Sequence, residues 1–486
     1  MRDMDFKKIR ENFPKQEEIF GWIEGLCRFP HRRTGSPESR AAQEYLKEQF
    51  EKIGLQEITV ERVPSVNFDA KDWSLQVEGK ELPCFMINGT LHPKPKGEFE
   101  AGLRCKDTEI VYLGEGRSED FEGMDVRDKL VLCDCPWFES DEDTYADKWC
   151  ATEGIVYDPD RDIRVKLRKT DSYSPNAWPY NYFEAQKRGA AGFVGILNDY
   201  FSDGINWNED YSELAASQGC RAMEIPGLWI GTDTWELLKG LLRDGKAKAS
   251  MGMKTMYLDG SATNVWGVLP GVSTEAVLVH SHYDAVFTGA VQDASGMSEV
   301  LALARYFAGF SKEQRPKTMI FAGLDGHYTD YAGHQAFIKK RLSEGRKILC
   351  DFVIEHIGKE VGLGEKNEPI VSDEPEIRLV YVTDTKGMVD IVCQAVREND
   401  MRRTIVLPVP LQNAVNQRAQ DAYEFAQDEV ISDAYYSSIN GISVVSMLSP
   451  QMYLFHPMDR PDMVPKTQLM PVGVTFAGVI QEFMAM

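Results

Sequence analysis

His280-Ser281-His282-Tyr283-Asp284 is followed, nine residues after Asp284, by Asp293-Ala294-Ser295-Gly296. Imidazole nitrogen and carboxylate oxygen are the donors that zinc and similar divalent cations take. The chain holds 8 histidines, and five of them lie between positions 280 and 356. Alternate residues of a strand share a face, so His280, His282 and Asp284 can open into one cleft. Asp293 stands just before a helical pattern, where a carboxylate can give one oxygen to each of two cations. Glu355 closes another apolar run, and His456 lies in Tyr453-Leu454-Phe455-His456-Pro457-Met458-Asp459. His280, His282, Asp284, Asp293, Glu355 and His456 are thus the groups that a metal site could draw on.

The elements that must position these groups alternate in type. Helical spacing predicts a helix over 38–53, ended by Gly54, then a strand from Ile58 to Val63 and short strands with Pro and Gly turns over 66–100. Strands are expected at Lys129–Cys133, Ala190–Leu197 and Ile225–Ile230, with helices at Tyr182–Gly189 and Thr232–Arg243. The polar stretch 139–181 reads as a long surface excursion. From about 258 the order becomes strand, helix, strand. Ala276–His280, Thr318–Ala322, Ile348–Ile354 and Ser443–Met447 are strands of the buried, parallel kind. Ser298–Phe307, Gln335–Leu342, Met388–Asn399 and Val472–Met484 are helices. The expected fold is α/β, a largely parallel mixed sheet with helices on both faces. In such sheets sites gather beyond the carboxyl ends of strands. His282, Gly326-His327 and Glu355-His356 all follow directly on apolar strands.

Bulk properties exclude some functions. The formal charge of −22 disfavours nucleic acid and anionic membrane as partners. No apolar run reaches the roughly 18 residues of a membrane span. Met1–Lys8 shows no apolar signal core, and nine cysteines form no regular framework. A cytoplasmic protein with reduced thiols is the expectation. Cys133 and Cys135 read as strand residues and Asn88-Gly89-Thr90 as a turn. A homo-oligomer is compatible with the sequence.

These residues resemble peptidase family M28, the group of cocatalytic zinc aminopeptidases and glutamate carboxypeptidase-like proteins. H-x-D and D-x-S-G at this spacing carry the resemblance. Arg33-Thr34-Gly35-Ser36, Thr263 to Gly271, Ser432-Asp433 and Gly441-Ile442 add to it. The resemblance implies a catalytic domain in two parts, 1–99 and 256–486, around an inserted β-rich, protease-associated-like domain over 100–255. It implies one or two zinc ions, or another divalent metal. His282 would bind the first metal, Asp284 would orient His282, and Asp293 would bridge. Glu355 would stand for an Asp ligand, and His456 would bind the second metal.

One motif departs from the family. Gly326-His327-Tyr328 stands where the family has Gly-Glu-Glu, the general base and a metal ligand. Histidine, with a free pKa of about 6.5, can act as base or ligand. A phenol of pKa about 10 is a poor ligand at neutral pH and a better hydrogen-bond donor. The expected catalytic residues are His327 as base, with Asp325 or Asp330 as alternatives, together with Tyr328 and Asp284. The expected reaction is metal-assisted hydrolysis of an amide bond in a small peptide or modified amino acid. Two alternatives stand beside it: a non-catalytic binding protein of the same fold, and a metal-dependent lyase or cyclase. His280, His334 and His356 read as packing or hydrogen-bonding residues, with His280 placed to support His282 from behind and His334 to cap a helix.

Overall fold

A computed structural model of the chain describes residues 4–92, 97–100, 105–137, 139–140, 154–161, 163, 167–170, 175–209, 211–242, 247–411 and 430–486. Helix α1 (Pro37–Ile53) starts where the Ser36 side chain accepts from the Ser39 amide. It stops at Gly54, whose φ of 94° suits a residue without Cβ. Strand β1 (Gln56–Val77) follows as one long strand. Short strands and turns were expected beyond residue 66. The difference arises because few residues of β1 are buried, so its side chains carry no clean apolar alternation.

The next elements are β2 (Cys105–Tyr112), β3 (Leu130–Pro136), β4 (Ile155–Tyr157), α2 (Tyr180–Lys187), β5 (Gly192–Asn198), β6 (Gly227–Gly231), α3 (Thr232–Leu242) and β7 (Lys248–Leu269). Strands β2, β3, β5 and β6 are parallel to one another. Strand β7 runs antiparallel to both β1 and β2, straight across position 255. Most of the excursion 139–181 lies outside the described residues. Its β4 pairs with a strand of the C-terminal half (below).

The C-terminal half holds β8 (Ser273–His282), α4 (Gly296–Ala308), β9 (Lys317–Leu324), α5 (Ala332–Ser343), β10 (Ile348–Ile354), β11 (Arg378–Thr383), α6 (Met388–Glu398), β12 (Thr404–Val409), the single turn α7 (Tyr435–Ser438), β13 (Ser443–Leu448) and α8 (Lys466–Met484). The sheet order is β7, β9, β8, β10, β13, β11, β12, β4. Strands β9, β8, β10 and β13 are mutually parallel, so their carboxyl ends share one edge. The fold is a mixed α/β architecture with a largely parallel central sheet. Residues Ala276 to His282 of β8 are all buried, as a strand covered on both faces must be. Strands β11 and β12 were not expected from sequence. Among the described residues, no helix is long and apolar enough to cross a membrane.

Candidate metal centre

The three parallel strands β8, β9 and β10 deliver His282, His327 and Glu355 to one edge. Buried Arg32 fixes the loop after β8. Its guanidinium donates to the carbonyls of Tyr283 (2.5 Å), Thr288 (2.7 Å) and Gly289 (2.6 Å). Thr34 links that loop to the loop after β9, with its hydroxyl 3.3 Å from Asp284 and 2.8 Å from Asp325. The Arg-Thr-Gly-Ser stretch thus clamps two strand ends together.

His282 is fully buried. Its Nδ1 lies 3.0 Å from the Asp284 carbonyl and 3.3 Å from the Asp284 carboxylate. A carbonyl only accepts, so Nδ1 carries the proton and Nε2 keeps its lone pair. Asp284 therefore sits where it can orient His282, as the resemblance implies. Its other oxygen accepts from the Gly326 amide at 3.2 Å. His327 stacks on His282 with ring centroids 4.0 Å apart and planes 15° from parallel. His327 Nδ1 lies 3.0 Å from Asp433 Oδ1. The Nε2 atoms of both His282 and His327 are buried and have no hydrogen-bond partner.

Asp433 lies on the segment before α7. Its Oδ2 is 2.7 Å from His334 Nε2, and its amide donates to Glu355 Oε1 at 3.1 Å. Burial works against its charge, but His334 and His327 outweigh burial and hold the carboxyl well below its usual range. Burial likewise opposes a charged His327, and Asp433 overrides it, pushing that imidazole up to about 9. His282 goes the other way, lowered first by burial and then by the charge of His327. His282, His327 and Asp433 offer ligand atoms that all lie within 4.8 Å of one another.

The other expected ligands are differently employed. Asp293 accepts from the Ser281 hydroxyl and, at 3.1 Å each, from the amides of Gly296 and His356. Both oxygens are thereby turned to the protein, so Asp293 does not stand as a free bridging carboxylate. Its neighbour Gln292 instead has a buried, unpartnered Oε1. His456 has neither nitrogen free. Nδ1 accepts from the Met458 amide at 3.1 Å, and Nε2 lies 3.1 Å from Asp203. Phe201 packs on its ring at 4.6 Å. Glu355 is buried beside the centre; burial and then the charge of Asp433 raise its carboxyl well above the usual range.

The expected bases fare similarly. Asp325 accepts from Thr34, Ser39 and the amides of Thr263 and Gly326, so it is a structural anchor. Asp330 is exposed. Tyr328 turns its ring edge to His327 at 5.0 Å, and its buried hydroxyl has no partner. Burial pushes this phenol well above its usual range, so it stays protonated as a donor. His334 reaches Asp433, and His280 Nε2 lies 3.1 Å from Asp351. Both rings take hydrogen-bonding roles. His356 Nδ1 donates to the Ser449 carbonyl at 3.0 Å. Asp433 carried no ligand spacing, because it is 106 residues from His327 in the chain.

Two buried imidazoles with unpartnered nitrogens, each fixed by an acceptor on its other nitrogen, fit a divalent cation. Residues 264–430 match the model of peptidase family M28. The match takes in β8, β9 and β10, the strands that carry the centre. No curated protein matches the chain. Among solved structures, BSAP, a zinc aminopeptidase from Bacillus subtilis, is 15% identical over 99% of this chain and 96% of its own, with a TM-score of 0.64. An M28 peptidase precursor from Shewanella amazonensis is 14% identical over 99% and 96%, with a TM-score of 0.66. An aminopeptidase from Aneurinibacillus sp. strain AM-1 is 16% identical over 98% and 95%, with a TM-score of 0.59. At these identities the likeness is one of fold. The matched stretch holds His282, Asp293, His327 and Glu355.

Proposed function

We propose that this M28 protein is a metal-dependent hydrolase that cleaves the amide bond of a small peptide or aminoacyl amide. His282 and His327 hold the cation through Nε2, and Asp433, on Nδ1 of His327, fixes that ring from behind. A zinc ion or similar cation bound there supplies Lewis acidity towards a carbonyl and acidifies water. The stacked pair of buried, unpartnered Nε2 atoms is the single observation that carries this reading.

The surrounding residues set the rest of the chemistry. Asp284 holds His282 in the tautomer that presents Nε2. Tyr328 donates its unshared hydroxyl to the developing oxyanion. With both imidazoles committed as ligands, the proton is taken by a carboxyl. Glu209, on the segment that the inserted domain lays over the centre, is our candidate, in place of His327. Its charge acts on His327, Tyr328 and Tyr331. Burial raises the Glu209 carboxyl, which brings it nearer to working pH. Trp207 of the same segment donates its amide to the Phe455 carbonyl at 2.8 Å and packs on Phe287 and His31. This cover supports a small substrate over a long polypeptide. The protease-associated-like insert then acts as a roof.

The test is hydrolysis of an aminoacyl-amide and dipeptide panel by zinc-loaded protein. His282→Ala and His327→Ala should each lower kcat/KM by about 10³-fold, the loss of several kcal/mol of Lewis-acid stabilisation. Glu209→Gln should keep its metal and lose about 10²–10⁴-fold in kcat. Undiminished turnover in His282→Ala would overturn the assignment.

A further inference from the structure

Two strained residues join the loop after β8 to the stretch before α1. His31 precedes the buried Arg32, and Phe287 lies five residues beyond His282. Their φ angles are 54° and 47°, in the left-handed region that residues with a Cβ avoid. Such backbone persists only where its surroundings hold it. Here the two residues hold each other. The His31 amide donates to the Phe287 carbonyl at 2.6 Å, and the Phe287 amide donates to His31 Nδ1 at 3.1 Å. The two rings lie 5.2 Å apart. Trp207, from the segment laid over the centre, packs on both at 6.0 Å. Loop, Arg-Thr-Gly-Ser stretch and roof thus meet at one joint, which the mechanism above does not use.

This joint depends on one lone pair. An amide only donates, so Nδ1 is bare and the proton of the neutral ring sits on Nε2. A second proton would turn Nδ1 from an acceptor into a donor that faces a donor. It would also set a cation beside Arg33, whose guanidinium lies over Trp207 at 4.6 Å and bonds Asp69 at 2.8 Å. Burial of the ring, then the charge of Arg33, lower the His31 pKa from 6.5, while Asp69 on β1 and Glu38 on α1 pull it back. The loop and the roof present the uncharged Phe287 and Trp207 to the ring. The residue keeps an exposed edge, so protons reach it from solvent. A value held below 6.5 leaves the joint complete at neutral pH and undoes it as pH falls through the lowered value.

We propose that His31 is a proton-operated latch. With Nδ1 bare it fastens the loop after β8 and seats Trp207, and with it the roof, over the centre. With Nδ1 protonated it lets go of Phe287, and the loop and the roof loosen together. The latch goes beyond the hydrolase reading and does not need it, because no cation or substrate takes part in the joint.

The test is hydrogen–deuterium exchange of the full-length protein from about pH 8 to about pH 4.5. It is read by mass spectrometry on peptides covering 283–290 and 205–209, corrected for the pH dependence of free-chain exchange. In the wild type both peptides should be protected at neutral pH and exchange about tenfold faster at the acid end, as loss of one hydrogen bond implies. Asn places Oδ1 where His places Nδ1, accepts there, tolerates a positive φ and does not titrate. His31→Asn should therefore stay protected across the range, and His31→Ala should exchange fast throughout. Wild-type exchange without an acid step overturns the latch, and so does an acid step of the same size in His31→Asn. Protection in His31→Ala equal to that of the wild type overturns it too. The wild-type and His31→Asn arms carry the test if His31→Ala does not fold. Neither metal nor turnover enters the readout, so failure here leaves the hydrolase reading standing, and failure of that reading leaves the latch standing.

Discussion

At His282 and His327 the tautomer decides the chemistry. Each ring has one nitrogen satisfied by Asp284 or Asp433, so the other nitrogen is the one that faces the centre. Tyr328 adds a protonated hydroxyl at the same place. Tyr328→Phe should lower kcat by about 10²–10³-fold with little change in KM, as loss of an oxyanion donor does. Steady-state kinetics on the best aminoacyl amide check it, and an unchanged kcat would remove Tyr328 from the reaction. The H-x-D pair was legible because a strand places alternate residues on one face, and it needs no distant partner. Asp433 and His334 were not legible as site residues. Their meeting depends on how α5 and the segment before α7 pack, which no local spacing records. His456 was expected as a ligand, and the partners it has here carry no local signal: Asp203 is 253 positions away, and the other nitrogen accepts from the Met458 amide.

At the scale of elements, Asp293-Ala294-Ser295-Gly296 is a junction. Asp293 ties β8 to the start of α4 and to the residue after β10. Ser295 donates to the Val291 carbonyl at 2.8 Å and accepts from the Ile357 amide at 2.9 Å. Gly296 lies so close to β10 that a Cβ would collide with the Ile354 carbonyl oxygen. Gly296→Ala should therefore destabilise the fold by about 1–3 kcal/mol, since neither backbone can yield freely. Urea unfolding measures this, and wild-type stability in the variant would contradict the packing argument. Most strands around the site were legible as apolar runs with covered faces. Strand β12 was not: it carries Pro408, which breaks the expected donor pattern, and it lies near the sheet edge beside β4. Strand β11 opens with a buried charged residue, Arg378, which interrupts its apolar signal.

Across the whole molecule, β4 and Lys169 tie the middle of the chain to the C-terminal half. Strand β4 extends the central sheet along β12. Lys169, from the excursion, bonds Glu376 (2.6 Å) and Glu360 (2.8 Å), and Arg403 grips Glu360 with both terminal nitrogens at 2.7 and 2.9 Å. Burial opposes a charged Glu360, but Arg403 and Lys169 override it and bring its carboxyl down to about 2. A folded-state pKa below the unfolded value adds stability that is complete above about 4.5 and fades as pH falls towards 2. Glu360→Gln should thus be less stable than wild type by on the order of 3 kcal/mol at pH 7, with the gap closing between about pH 5 and 2. Urea unfolding of both proteins across that range checks the sign; a gap that stays constant would refute it. The net charge of −22 was legible at once, whereas this internal stitching depends on single residues within a long polar stretch and was not.

The most direct measurement is anomalous diffraction at the zinc edge from crystals of the zinc-loaded protein. The account predicts a peak bonded to Nε2 of His282 and Nε2 of His327, at the usual distance of about 2.0–2.1 Å. A peak held instead by Asp293 and His456, with His327 turned away from it, would contradict the account.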